Sequence, residues 1–202
     1  MAKNAGDVIL RDRMQFDLVG GNRTTLYGRI DLSSYVDPVS REGLAIKEVR
    51  FQMRDSQGTL ANTGIWMPIG NWTSPTGLTG ELAALKLYAT TRAYENASEV
   101  GIASPDVLCV YEISQAVGPS PNDGAGDPLT SPQQWIRENW YGPKDLHPSG
   151  YTVVSDLLIG VAADGWDIDA DDTLEVDIML IAEPVKISTE RMNEILSQAQ
   201  DL

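Results

Sequence analysis

The residues best suited to chemistry lie between Asp164 and Asp177. Asp164, Asp167, Asp169, Asp171, Asp172, Glu175 and Asp177 fall there with no Lys or Arg among them. Hard cations take several oxygen ligands, so a dense carboxylate loop suggests calcium or sodium. Asp167, Asp169 and Asp171 have the one, three, five spacing that opens a calcium loop. The pattern then departs: position six holds Asp172 instead of glycine, and position twelve holds Ile178 instead of glutamate. A weak cation site at Asp167, Asp169 and Asp171 is one reading. A solvated turn leading into the strand that follows is the simpler one.

Other reactive side chains are sparse. His147 is the one histidine and Cys109 the one cysteine of the 202-residue chain. His147 lies in the turn Leu146-His-Pro-Ser-Gly150, and Cys109 in the apolar run Val107 to Tyr111. A zinc site or a Cys-His pair is thin on that inventory, and Cys109 reads as a buried structural thiol. No internal disulfide can form. No G-x-S-x-G, G-x-x-x-x-G-K-[ST] or G-x-G-x-x-G occurs, so nothing supports a nucleophile elbow or a phosphate cradle. The sequence leads us to expect neither catalysis nor a cofactor. Asn22, Asn71 and Asn96 each begin an Asn-x-Ser/Thr sequon in an expected loop and are candidate glycosylation sites.

Trp66, Trp72, Trp135, Trp140 and Trp166 all fall in or near expected loops. Tryptophans so placed serve as a carbohydrate platform, cap the ends of a sandwich, or sit in subunit contacts.

The elements that must position these groups read as strands. Leu174, Val176, Ile178, Leu180 and Ala182 share one face of the run Thr173 to Glu183, while Glu175 and Asp177 begin the other. Val153, Leu157, Ile159 and Val161 do the same in Tyr151 to Ala163, which reads as one long strand. Ile46 to Asp55 is amphipathic, with Val49, Phe51 and Met53 inward and Lys47 breaking the phase. Shorter strands are expected at Met14 to Leu18, Leu26 to Val36, Gly64 to Pro68 and Val107 to Ser114. Leu82 to Thr91 suits a helix by the propensity of its first residues and a strand by the alternation of Ala83, Leu85, Leu87 and Ala89 with the tyrosines and threonines that follow, the strand being preferred. Ser131 to Tyr141 reads as a short helix capped by Ser131 with Pro132 in its first turn. A terminal helix capped by Ser188 carries the stripe Met192, Ile195, Leu196 and Ala199.

This pattern predicts an all-β fold: a single jelly-roll or antiparallel β-sandwich of about eight strands with a short C-terminal helix. We divide the chain into a polar N-terminal arm (1–13), the sandwich (14–183) and the amphipathic helix (184–202). Hydrophobic residues make up 42% and the formal net charge is −14. So much acid disfavours nucleic acid and anionic lipid as partners. Neither a signal peptide nor a transmembrane segment is expected.

Strand count, polar arm, aromatic loops and acidic balance together resemble the single jelly-roll capsid proteins of tailless icosahedral archaeal viruses, especially halophilic ones. The resemblance spans most of residues 14 to 183 and rests on architecture and composition. It implies a virion protein whose partners are copies of itself and other virion proteins, with short arms reaching neighbours or an internal membrane. It assigns no residue a role. On this reading the subunit contacts are Trp135, Ile136, Trp140 and Tyr141, with Met192, Ile195 and Leu196 of the terminal helix. Two alternatives stand beside it: a carbohydrate-binding sandwich with a weak cation site, and an enzyme whose pocket gathers His147 with carboxylates.

Overall fold

A computed structural model describes residues 6–18, 24–55, 81–117, 134–164 and 172–200. They form nine strands: β1 (Val8–Leu18), β2 (Thr24–Ile30), β3 (Glu42–Asp55), β4 (Glu81–Thr90), β5 (Val107–Val117), β6 (Gln134–Tyr141), β7 (Tyr151–Val153), β8 (Leu157–Asp164) and β9 (Asp172–Lys186). Helices α1 (Pro143–Leu146) and α2 (Thr189–Gln200) complete the described chain. A four-stranded sheet has the order β1-β9-β3-β7, and a five-stranded sheet the order β2-β8-β4-β5-β6. Every pairing is antiparallel.

Those pairings define the topology. With β6 set aside, the first strand pairs with the last, the second with the last but one, the third with β7, and the fourth with β5. That is a long hairpin of strand pairs rolled up on itself, closed by β3 against β9 and β4 against β8. The chain is therefore a jelly-roll, with β6 added to one edge of the five-stranded sheet.

The core lies between the sheets and follows the expected alternation. In β9, Leu174, Val176, Ile178, Leu180 and Ala182 are all buried, facing Leu85, Leu87, Leu108, Ile113, Ile159 and Val161 from the other sheet. The phase break at Lys47 is a β-bulge. The register slips between Ile46 and Glu48, so Ile46 and Val49 both point inward. The extra residue, Lys47, is thereby aimed outward, where its ammonium meets Asp7 at 2.6 Å and Glu183 at 2.8 Å.

A second, smaller core covers part of the outer face of the five-stranded sheet. Tyr88, Val100, Val107 and Val110 bury one another under the connection that runs from Thr91 to Asp106. Tyr27, Gly160 and Tyr88 form one row across β2, β8 and β4. The Tyr88 ring lies so close over Gly160 that a β-carbon there would stand 2.1 Å from its Cζ. Tyr27 meets Tyr88 edge-on at 5.8 Å, and the Tyr88 hydroxyl donates to the Tyr27 oxygen at 2.6 Å. Burial of that hydroxyl pushes its pKa up.

Several expectations need correction. β1 begins at Val8, so Val8 to Arg13 belongs to the sandwich and not to an arm. Arg11 and Arg13 misled because they occupy the outward face of an edge strand; Arg13 pairs with Asp177 of β9 at 2.6 Å. β2 stops at Ile30 instead of Val36. Tyr151 to Ala163 is two strands in different sheets. The chain crosses over at Ser155 and Asp156, where the Asp156 carboxylate accepts from the Leu32 amide and pairs with Arg29. β9 runs past Pro184 to Lys186. Its partner β1 begins at Val8 opposite Ala182, so among the described strands β3 alone flanks it at Pro184, where a missing N–H is tolerated. Residues 134–141 form strand β6 and not a helix.

Candidate functional site: the outer edge of β6

β6 forms because its residues suit a half-covered pleat, not a helix. Ile136, Glu138 and Trp140 alternate with Trp135, Arg137, Asn139 and Tyr141, and aromatic residues favour strands. Its register against β5 fixes the faces. Gln115, Ile113 and Tyr111 lie opposite Ile136, Glu138 and Trp140. Ile113 is in the core, so these three β6 residues lie on the inner side of the sheet. Ser114, Glu112 and Val110 lie opposite Arg137, Asn139 and Tyr141, which are on the outer side.

Among the described residues the sandwich is open beside β6. Across from it, β7 pairs only with Leu44, Ala45 and Ile46, and no described strand flanks β3 beyond that point on the same side. Trp140 partly closes the gap. Its ring packs edge-on against Phe51 of β3 at 6.0 Å and tilted against Tyr111 at 5.8 Å. Even so it is 42% exposed, and Ile136 is 47% exposed. Among the described residues nothing pairs with the far side of β6, so a row of backbone N–H and C=O groups is left without a ladder partner. Glu138 stands between the two apolar side chains, and its charge contributes to raising the pKa of Tyr111 after the larger effect of burial.

The outer side of the same strand lines an open groove of about 500 Å³. Lys86, Glu112, Ser114, Arg137, Asn139 and Tyr141 supply its polar groups, and Ile102 forms an exposed apolar wall. Lys86 is already committed. Its ammonium meets Glu112 at 3.0 Å and donates to the carbonyls of Val100 at 2.6 Å and Ala97 at 3.2 Å.

The expected site residues are thus dispersed. Ile136, Trp140 and Tyr141 share β6, with Ile136 and Trp140 on one face and Tyr141 on the other. The backbone of Trp135 pairs opposite Ala116 on the same strand. Met192 is not available to a neighbour. It is buried with Val154 and Ile187, and Ile195 packs partly onto the same cluster. The helix does begin at the expected cap, the Arg191 amide donating to the Ser188 hydroxyl at 3.2 Å. Leu196 lies one residue further along α2.

His147 and Cys109 serve the fold. The His147 Nε2 meets the Val107 carbonyl at 2.7 Å, and its ring packs on Tyr151 at 4.5 Å. Cys109 is fully buried between the sheets, which pushes its thiol up to about 12. Among the described residues no group of three or more His, Cys, Asp or Glu is placed to hold a metal ion. Asn96 caps the short 3-10 turn Ala97–Glu99, accepting from the Ser98 amide at 3.0 Å. Asp167, Asp169, Asp171, Asn22, Asn71, Trp66, Trp72, Trp166, the strand expected at 64–68 and the Ser131 cap lie outside the described residues. Among the described residues no helix is long and apolar enough to cross a membrane.

The pairing of β1 with β9, β2 with β8 and β3 with β7 places the chain in the jelly-roll class. No protein-family model and no curated protein matches it. Among solved structures it has a distant match in a chain of Desmodium yellow mottle tymovirus, 10% identical over 91% of this chain and 86% of that one, with a TM-score of 0.29. The strand pairing, not that match, defines the fold.

Proposed function

We propose that the chain is a structural subunit that assembles with copies of itself, as a capsid protein does in a virion shell. The observation that carries this reading is the edge of β6, which no other described residue pairs, with Trp140 42% and Ile136 47% exposed beside it. Soluble proteins cover, shorten or charge such edges. Here the edge ladder is eight residues long and flanked by two large apolar side chains. The net charge of −14 opposes close approach of copies, so salt favours assembly by screening it.

The test is the mass of the purified protein by sedimentation or light scattering across a salt series. Discrete assemblies that grow with salt support the reading. A chain that stays monomeric at high concentration from low to high salt ends it.

The groove on the outer side of β6 favours a second reading, a carbohydrate-binding sandwich. Tyr141 offers an aromatic surface, and Ser114, Asn139 and Arg137 offer hydroxyl, amide and guanidinium partners. Glycan binding by isolated monomers, lost in Tyr141→Ala, would favour it over assembly.

A further inference from the structure

We infer that two copies join through β6 itself, antiparallel across a two-fold axis at Glu138, so that the two five-stranded sheets become one continuous sheet. This rests on the reading of the chain as a self-assembling subunit and specifies the contact.

The occupant follows from the edge. Among the described residues the far side of β6 has no ladder partner, and such a row of N–H and C=O groups is satisfied in full only by another strand. Every copy brings the same strand, and a two-fold contact uses the same patch twice. Geometry then restricts the register. An axis perpendicular to the sheet makes the strands antiparallel and keeps inner face on inner face. Residues opposed across it must therefore share a face of β6, and the axis must pass through a residue. Centred on Arg137, the pairing sets Ile136 against Glu138. Centred on Asn139, it sets Trp140 against Glu138. Centred on Ile136 or Trp140, it leaves much of the strand unpaired. Centred on Glu138, it sets Ile136 of each copy opposite Trp140 of the other, and the two exposed apolar side chains cover each other twice. Aromatic with β-branched is a favourable cross-strand combination.

That register has one unfavourable element. The two Glu138 side chains face each other at the axis, and like charges directly opposite weaken a pair. The edge is therefore self-complementary but tempered, which suits subunits that must not associate before conditions favour it.

Cysteine cross-linking reads the register directly. Opposed residues in an antiparallel pair have Cα atoms about 4.5–5.5 Å apart, within disulfide reach. Glu138→Cys should give a disulfide-linked dimer on mild oxidation. Ile136→Cys should not, because four residues of offset separate the two copies of that position by roughly 13 Å. Cys109 will not interfere, being fully buried. Glu138→Gln should tighten association about two- to five-fold. If assemblies form but Glu138→Cys fails to cross-link, the β6 register is wrong and self-assembly stands. If cross-linking moves to Arg137→Cys, the axis is wrong. If no assembly forms under any salt condition, both readings fall together.

Discussion

Replacing Trp140 by alanine separates what this side chain does for its own chain from what it offers to a neighbour. The ring is 42% exposed, so a little over half of its surface is withdrawn from water by Phe51, Tyr111 and their surroundings. A tryptophan has on the order of 200 Å² to bury, so its own chain covers about 115 Å². At about 25 cal/mol per Å² that is about 3 kcal/mol, and a compact denatured state lowers it to about 2 kcal/mol. The exposed remainder, about 85 Å², is worth about 2 kcal/mol per ring if a second copy covers it. That corresponds to roughly a thirtyfold weaker association per ring removed. Urea unfolding of the dilute monomer measures the first quantity and sedimentation measures the second. Ile136→Ser should weaken association while shifting unfolding by no more than about 1 kcal/mol. The reasoning is refuted if Trp140→Ala changes the unfolding free energy by under about 0.5 kcal/mol, because the ring then does not close the seam against Phe51. Unchanged association in both variants refutes the contact.

Three further outcomes test the frame that holds this edge. Gly160→Ala should destabilise the fold by about 2–3 kcal/mol in urea, because its β-carbon would strike the buried Tyr88 ring. Gly101→Ala, where nothing stands within 4 Å, should stay within about 0.5 kcal/mol. Met192→Ser should lower stability by about 2 kcal/mol and leave association unchanged in sedimentation, since that side chain is spent on Val154 and Ile187. In acid, the carboxylate of Asp37 is held below its ordinary pKa by the Ser40 hydroxyl at 2.5 Å and the Val39 amide at 2.9 Å. A lowered folded pKa gives stability that is present above the ordinary carboxylate value and lost as pH falls through the lowered one. Asp37→Asn should therefore make unfolding less steeply dependent on pH below about 4, measured by urea midpoints at a series of pH values.

The strands at the centre of the sheets were legible because both of their faces speak. β9 buries alternate residues so completely that a two-residue period is the dominant pattern, and the bulge in β3 shows as one skipped phase at Lys47. β4 was less plain, because Leu87, Tyr88, Ala89 and Thr90 are buried in succession and its first residues also suit a helix. Edge strands were harder. β1 sets Arg11 and Arg13 outward and leaves Asp12 exposed even on its inner side, so only Leu10, Met14 and Phe16 mark the buried face. β6 is half-covered on its inner face, and the helix-cap residues just ahead of it competed for the reading. What exposed the site was Ile136, Glu138 and Trp140 in alternation, a pattern visible in the sequence but outweighed by Ser131 and Pro132. The crossover at Asp156 was not legible, because the apolar run continues on either side and the corner is marked by contacts distant in sequence, with Arg29 and the Leu32 amide. The helix is legible from its apolar stripe, but the same periodicity serves a helix that meets its own chain and one that meets another; Met192 meets its own.

The pairing of β1 with β9 also dictates a timetable. Val8 to Leu18 finds its partner only when Asp172 to Ala182 has been made, and β2 waits for β8 in the same way. At ordinary translation speeds the first strand stands idle for roughly ten to thirty seconds. Contacts this distant along the chain also close slowly. Neither sheet can close until its late strand, β8 or β9, has been made, so the growing polypeptide carries unpaired, apolar strands that a chaperone would have to shield. A protein truncated before Asp172 would lack β9, the strand that joins β1 to β3, and would be expected to aggregate instead of folding in part.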